Sequence, residues 1–122
     1  MGIIAKIIIG LVALIHLYIM WLEMFGWMTR ARKVFRKLPP DMFEKTKSMA
    51  GNQGLYNGFL AAGLIWSLVI CCNAEWSANV AMFFLGCVFV AGVYGAMTVQ
   101  KTIFYVQSVP ALLGLLAVYL KI

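Results

Sequence analysis

Apolar residues run through this chain in long stretches that polar residues rarely interrupt. Four of them, at about residues 3–28, 53–72, 77–98 and 102–120, reach the roughly 20 residues that a helix needs to cross a bilayer. Runs such as Ile7-Ile8-Ile9 and Leu112-Leu113 do not alternate with polar residues, so they read as helices and not as strands of an outer-membrane barrel. The pattern predicts an all-α chain over residues 1–122, a single integral membrane domain built as a four-helix bundle. The first span is expected to stay as a helix: Lys6 lies inside the apolar run, and no small-residue cleavage site follows. The stretch 29–51 is the one substantial polar loop. In it Pro39 and Pro40 stop any continuation of the first helix. Asp41 followed by Glu44 predicts a capping box for a new helix. Met42, Phe43 and Met49 either lay that helix on the membrane surface, or the helix runs straight into the second span. In the last span Pro110 removes the bond to the Val106 carbonyl and predicts a kink.

Charge adds direction to this plan. The loop 29–51 carries Arg30, Arg32, Lys33, Arg36, Lys37, Lys45 and Lys47, and the turn after the third span carries Lys101; Lys6 and Lys121 fall on the other side. Basic residues stay on the cytoplasmic face. Both termini are therefore expected outside and the long loop inside, in a multi-pass protein of the bacterial inner (plasma) membrane. Composition agrees: 64% of residues are hydrophobic and 11% charged, against roughly 45–50% and about 25% in soluble domains. A soluble enzyme, a disordered chain and a basic nucleic-acid binder are excluded, although the net charge is +6. The loop charges are expected to set topology and meet anionic lipid headgroups, with a site for an anionic substrate as the sharper alternative.

Candidate chemistry lies in the polar residues that the spans retain, since an ionisable group costs several kcal/mol in a membrane unless it is paired. His16 and Glu23 stand seven residues apart and share a helix face. Asn52, Gln53, Tyr56 and Asn57 open the second span; Tyr94 and Thr98 close the third; Gln100, Tyr105 and Gln107 surround the start of the fourth. With the expected topology almost all of them fall in the cytoplasmic half. The leading reading is a polar pocket that binds or processes a small amphipathic or lipophilic molecule. Glu23 and His16 would be its catalytic or anchoring pair, and Asn52, Gln53, Tyr56, Asn57, Tyr94, Gln100, Tyr105 and Gln107 would line it. The alternatives are a small transporter or proton-coupled carrier with a His16–Glu23 relay, and a structural or regulatory membrane subunit. Amides and tyrosines also glue helices together, at roughly 1 kcal/mol per bond. Two ligands are too few for a metal, so none is expected, and no cofactor is indicated. Cys71, Cys72 and Cys87 read as inert thiols. Glycines at 54, 58, 63, 86, 92 and 95 permit close helix approach, within one bundle or between protomers.

The stretches GLVALIHLYIMWLEMF, NQGLYNGFLAAGL and VAGVYGAMTVQKTIFYVQSVPALL resemble the bacterial family known as domain of unknown function 1304, small membrane proteins without an established activity. More remotely the chain resembles the membrane-associated eicosanoid and glutathione metabolism superfamily. The likeness rests on RARKVF after the first span, on Asn52, Tyr56 and Asn57, on Tyr94, and on Tyr105, Gln107 and Pro110. That resemblance implies four helices, a cytosolic basic loop and a homotrimer with sites between protomers. The arginines with which that superfamily grips glutathione carboxylates are Gly51 or Asn52 and Gln100 or Lys101 here, so the likeness extends to architecture rather than to that ligand.

Overall fold

The computed structural model describes residues 1–122. The chain is all-α, with no strand. Its helices are α1 (Ile3–Met24), α2 (Arg30–Val34), α3 (Pro40–Lys45), α4 (Lys47–Val69), α5 (Ala74–Thr98) and α6 (Val109–Tyr119), with a π-helical segment at Phe104–Ser108 before the last. Two of them, α1 and α5, are long and apolar enough to cross a membrane. Only 28% of the most apolar window of either is buried within the chain, whereas a core helix of a water-soluble fold is mostly covered. The chain forms two compact units, Met1–Ile15 with Leu60–Ile122, and His16–Phe59.

In the first unit, Ala5, Ile9 and Val12 of α1, Leu64 of α4, Ala81, Leu85 and Val88 of α5 and Ala111 and Val118 of α6 form the core. Small residues let these helices approach. A Cβ on Gly63 would fall on the Phe84 ring, and one on Gly92 would fall on Ser108 Oγ. Gly86 has open space around it, so it serves no close approach within the chain. Three buried serines tie the unit: Ser67 Oγ donates to Leu64 O at 2.6 Å, Ser77 Oγ to Ser67 O at 2.7 Å, and Ser108 Oγ to Phe89 O at 2.8 Å. Helix α5 starts at Ala74, earlier than the pattern suggests, because Asn73 caps it and accepts from Trp76 N at 2.9 Å. At Pro110, where the sequence predicts a kink, the chain is π-helical over the turn before the proline. Without an N–H at Pro110 the α-helical ladder is interrupted, and Val109 N–H reaches back five residues to Phe104 O.

In the second unit α1 stops at Met24, not near residue 28. Phe25 and Gly26 N–H both bond Trp21 O, and Ala31 N–H then bonds Gly26 O, so the chain reverses at once. The loop that follows is an ordered cap. Phe43, Leu22 and Ala31 are buried in it, with Trp27, Met28, Phe35 and Leu38 around them. The Trp27 ring packs on Phe43 at 5.2 Å and on Phe35 at 5.6 Å, and its indole N–H donates to Thr46 Oγ1 at 3.1 Å. The expected capping box does not form. Pro40 takes the first helical position with its preset φ, which moves Asp41 inside the first turn; no side chain caps α3. Asp41 instead pairs with Lys45 at 3.3 Å. Of the two courses open to this helix, the structure takes the second. Only Thr46 separates α3 from α4, and Thr46 N→Met42 O and Ala50 N→Thr46 O bonds carry the helical path across it.

Candidate functional site

The carboxylate of Glu23 is the chemical centre of the second unit. It sits in the last turn of α1 and is 7% exposed. Asn57 Nδ2, from α4, donates to Glu23 Oε1 at 2.6 Å and also lies 3.3 Å from Gln53 O, one turn back on its own helix. The approach of the two helices explains this reach. Gly54 and Gly58 stand one turn apart on α4, and neither has a side chain to hold α1 away. A Cβ on Gly54 would lie 2.8 Å from Met24 Cγ, 2.9 Å from Glu23 Cβ and 3.0 Å from Met20 O, and one on Gly58 would lie 2.7 Å from Met20 Sδ. Asn57 falls between the two glycines, so its short amide spans the gap.

His16 is fully buried. It shares the Glu23 face of α1, as its spacing suggests, but seven residues of helix separate the two by about 10 Å along the axis. The remaining residues of the opening of α4 point elsewhere. Asn52 and Gln53 are exposed, and Tyr56 is exposed with its ring edge-on to Phe59 at 5.7 Å. Gln53 meets the pair through its main-chain carbonyl and not through its side chain.

Tyr94, Gln100, Tyr105 and Gln107 belong to the first unit. Tyr94 and Tyr105 are exposed, at 70% and 69%; Gln100 and Gln107 are half-buried. Tyr105 packs edge-on against Phe104 at 5.8 Å. Gln107 lies beside Gly92, whose Cβ would come within 3.0 Å of Gln107 Cβ. Tyr94 closes one end of an open apolar groove along α5, lined by Met82, Phe83, Gly86, Cys87, Val90 and Ala91.

Sequence reasoning missed two things. The three buried serines carry no periodic or charge signal, since an isolated Ser in an apolar helix looks the same whether or not it faces a carbonyl. Arg32 looks like one more member of the basic run. In the structure its Nε donates to Met28 O at 2.7 Å and its Nη1 to Pro40 O at 3.0 Å, with its guanidinium 5.0 Å above the Phe43 ring. It is the strut of the loop cap. No group of His, Cys, Asp and Glu is placed to hold a metal ion. The cysteines are free, with Cys71 and Cys72 exposed and Cys87 half-buried.

Comparison with known proteins gives a family but not an activity. The family described as "Protein of unknown function (DUF1304)" matches residues 10–119. A relative from Lactococcus lactis subsp. lactis, "Uncharacterized protein YpaA", is 28% identical over 119 residues, covering 96% of this chain and 98% of that one. No solved structure matches.

Proposed function

Since the chain belongs to the DUF1304 family, whose function is unknown, we propose a role from its own geometry: it binds or processes a small amphipathic or lipophilic molecule at Glu23. In this reading it is a multi-pass protein of the bacterial plasma membrane. Its four spans are α1, α4, α5 and the stretch 102–120, with the termini outside and the loop cap in the cytoplasm, and the protomers assemble into a homo-oligomer. The observation that carries the proposal is a carboxyl buried in a membrane-length helix with one side-chain partner. Removing a carboxyl from water costs several kcal/mol. A hydrogen bond to a charged group returns about 1.5–3 kcal/mol. Asn57 alone does not offset the burial, so a carboxyl chosen only to hold two helices together is the more expensive solution; an amide would serve. His16, about 10 Å deeper along α1, would meet the same ligand rather than Glu23 itself.

The close packing at Gly54 and Gly58 favours a second reading, in which Glu23–Asn57 is a helix clasp. Glu23→Gln separates the two. A glutamine carbonyl still accepts from Asn57, so the clasp survives while the acid is lost. Organic extracts of the purified wild-type and E23Q proteins, compared by mass spectrometry, are expected to differ by one small amphiphile that only the wild type carries, at equal yield and oligomer size. Identical extracts from the two, with assembly lost only in E23L, would leave the clasp as the role of the pair.

A further inference from the structure

The loop chemistry singles out one arginine. Arg32 is consumed by Met28 O, Pro40 O and the Phe43 ring, and Arg36 Nε donates to Lys33 O at 3.1 Å. Lys45 has Asp41. Arg30 differs. The reversal at residues 25–29 turns it back along α1, where its Nε donates to Tyr18 Oη at 3.3 Å. Tyr18 stacks on Trp21, with ring centroids 6.1 Å apart and planes 24° apart. No carboxylate lies within ion-pair distance of Arg30. Its Nε is spent on positioning, and the two terminal nitrogens keep their four N–H donors in the fork that suits a phosphate. The neighbouring rings are open: Tyr18 and Trp21 are each 45% exposed and Phe25 is 71% exposed.

We propose that Tyr18, Trp21, Phe25 and Arg30 form a binding site for an anionic phospholipid. The guanidinium takes the phosphodiester, Trp21 and Phe25 border the headgroup on the loop side, and the acyl chain starts at Tyr18 and runs the other way along the exposed Leu14 and Leu11 of α1. A cation fixed against an apolar aromatic face matches an amphiphile that joins a phosphate to a hydrocarbon tail. A free phosphate would satisfy the guanidinium and leave the rings uncovered. Tyr18 is a positioning residue that holds Arg30 at the level of the rings. The site rests on α1 as a membrane span and is independent of any role for Glu23.

The test is native mass spectrometry of the detergent-solubilised protein titrated with phosphatidylglycerol or phosphatidylcholine. One phosphatidylglycerol is expected to stay bound, with phosphatidylcholine held several-fold more weakly. Arg30→Gln is expected to weaken the phosphatidylglycerol about tenfold, the loss of a charge-assisted bond, and Tyr18→Phe about threefold, the loss of a neutral one. Lys37→Gln removes the same charge elsewhere in the loop and is expected to change little. Equal losses in R30Q and K37Q would mean diffuse attraction to the loop and would overturn the site. Displacement of the lipid by millimolar inorganic phosphate would overturn the lipid as its occupant. Circular dichroism of R30Q checks that the helices persist; if they do not, Y18F and K37Q carry the comparison. Resistance of the membrane-bound protein to alkaline carbonate extraction reports the spanning reading separately.

Discussion

Gly54→Ala tests the contact on which the Glu23–Asn57 pair depends. The added methyl group would meet three atoms of α1 at 2.8–3.0 Å, against the 3.4 Å or more of ordinary contact. Met24 Cγ belongs to a flexible side chain and can move. Glu23 Cβ and Met20 O are fixed to the helix backbone, so α1 itself must shift by a few tenths of an ångström. Overpacking of this kind costs about 1–3 kcal/mol. The substitution also removes a glycine from a helix interior, which by itself stabilises by about 0.5–1 kcal/mol. Gly51 supplies the control, since it lies one turn earlier on α4 with nothing within 4 Å of its Cβ position. Gly51→Ala has the propensity gain alone, so the difference between the two variants isolates the packing cost. Unfolding free energies from titration of mixed micelles with dodecyl sulfate, followed by circular dichroism, are expected to place G54A about 1–3 kcal/mol below G51A. Equal stability of the two would refute the close approach of α1 and α4 at this level.

Other outcomes follow from the same geometry. Phe43→Ala should destabilise the loop cap by about 3–5 kcal/mol, seen as faster tryptic cleavage at the basic residues between 30 and 47 while α1 and α5 stay intact. Ser108→Ala should cost about 0.5–1.5 kcal/mol through the lost bond to Phe89 O. Gly92→Ala should cost more and be rescued only in part by S108A, because the new methyl group would still lie 2.7 Å from Ser108 N; dodecyl sulfate titration of the three variants measures both. If the termini lie outside, a membrane-impermeant maleimide added to intact cells should label Cys71 and Cys72, which are exposed, and spare Cys87, which is half-buried in the middle of α5.

How much of this could be read from the sequence differs between helices and loop. The apolar runs locate α1, α5 and the last helical stretch to within four residues, because a long unbroken apolar run with no turn residues favours a helix. The start of α4 is misplaced: the helix begins at Lys47, six residues before its run, since it continues the path of α3 through polar residues. The pairing of Glu23 with an amide of α4 is foreshadowed by its position at the end of one apolar run near the amides that open the next. Which amide pairs with it is not, since that depends on the glycines on either side of Asn57. The loop is misjudged for a related reason. Charge dominates its composition, yet its conformation is set by Trp27, Phe43 and the carbonyls that Arg32 ties together, and each of these is a contact between residues distant in the chain. The exposed positions of Tyr56, Tyr94 and Tyr105 show the same limit. A tyrosine near a helix end faces inward or outward according to the phase of that helix, and one or two residues of uncertainty in a boundary decide it.

The π-helical segment at Phe104–Ser108 gives the last stretch a slack in length that composition would hide. A π turn is in effect an α-helix carrying one supernumerary residue. Deleting any one residue between 104 and 108 would let the α pitch close up while all that follows keeps its phase relative to what precedes. The same deletion within α6 would turn the rest of that helix by about 100°, the rotation of one residue in 3.6. Ala111, Gly114 and Val118, buried as the segment stands, would keep their places in the first case, whereas those beyond the gap would swing out of the core in the second. Among related chains, single-residue deletions should therefore be commoner in these five residues than in the eleven that follow, because the surplus residue absorbs them.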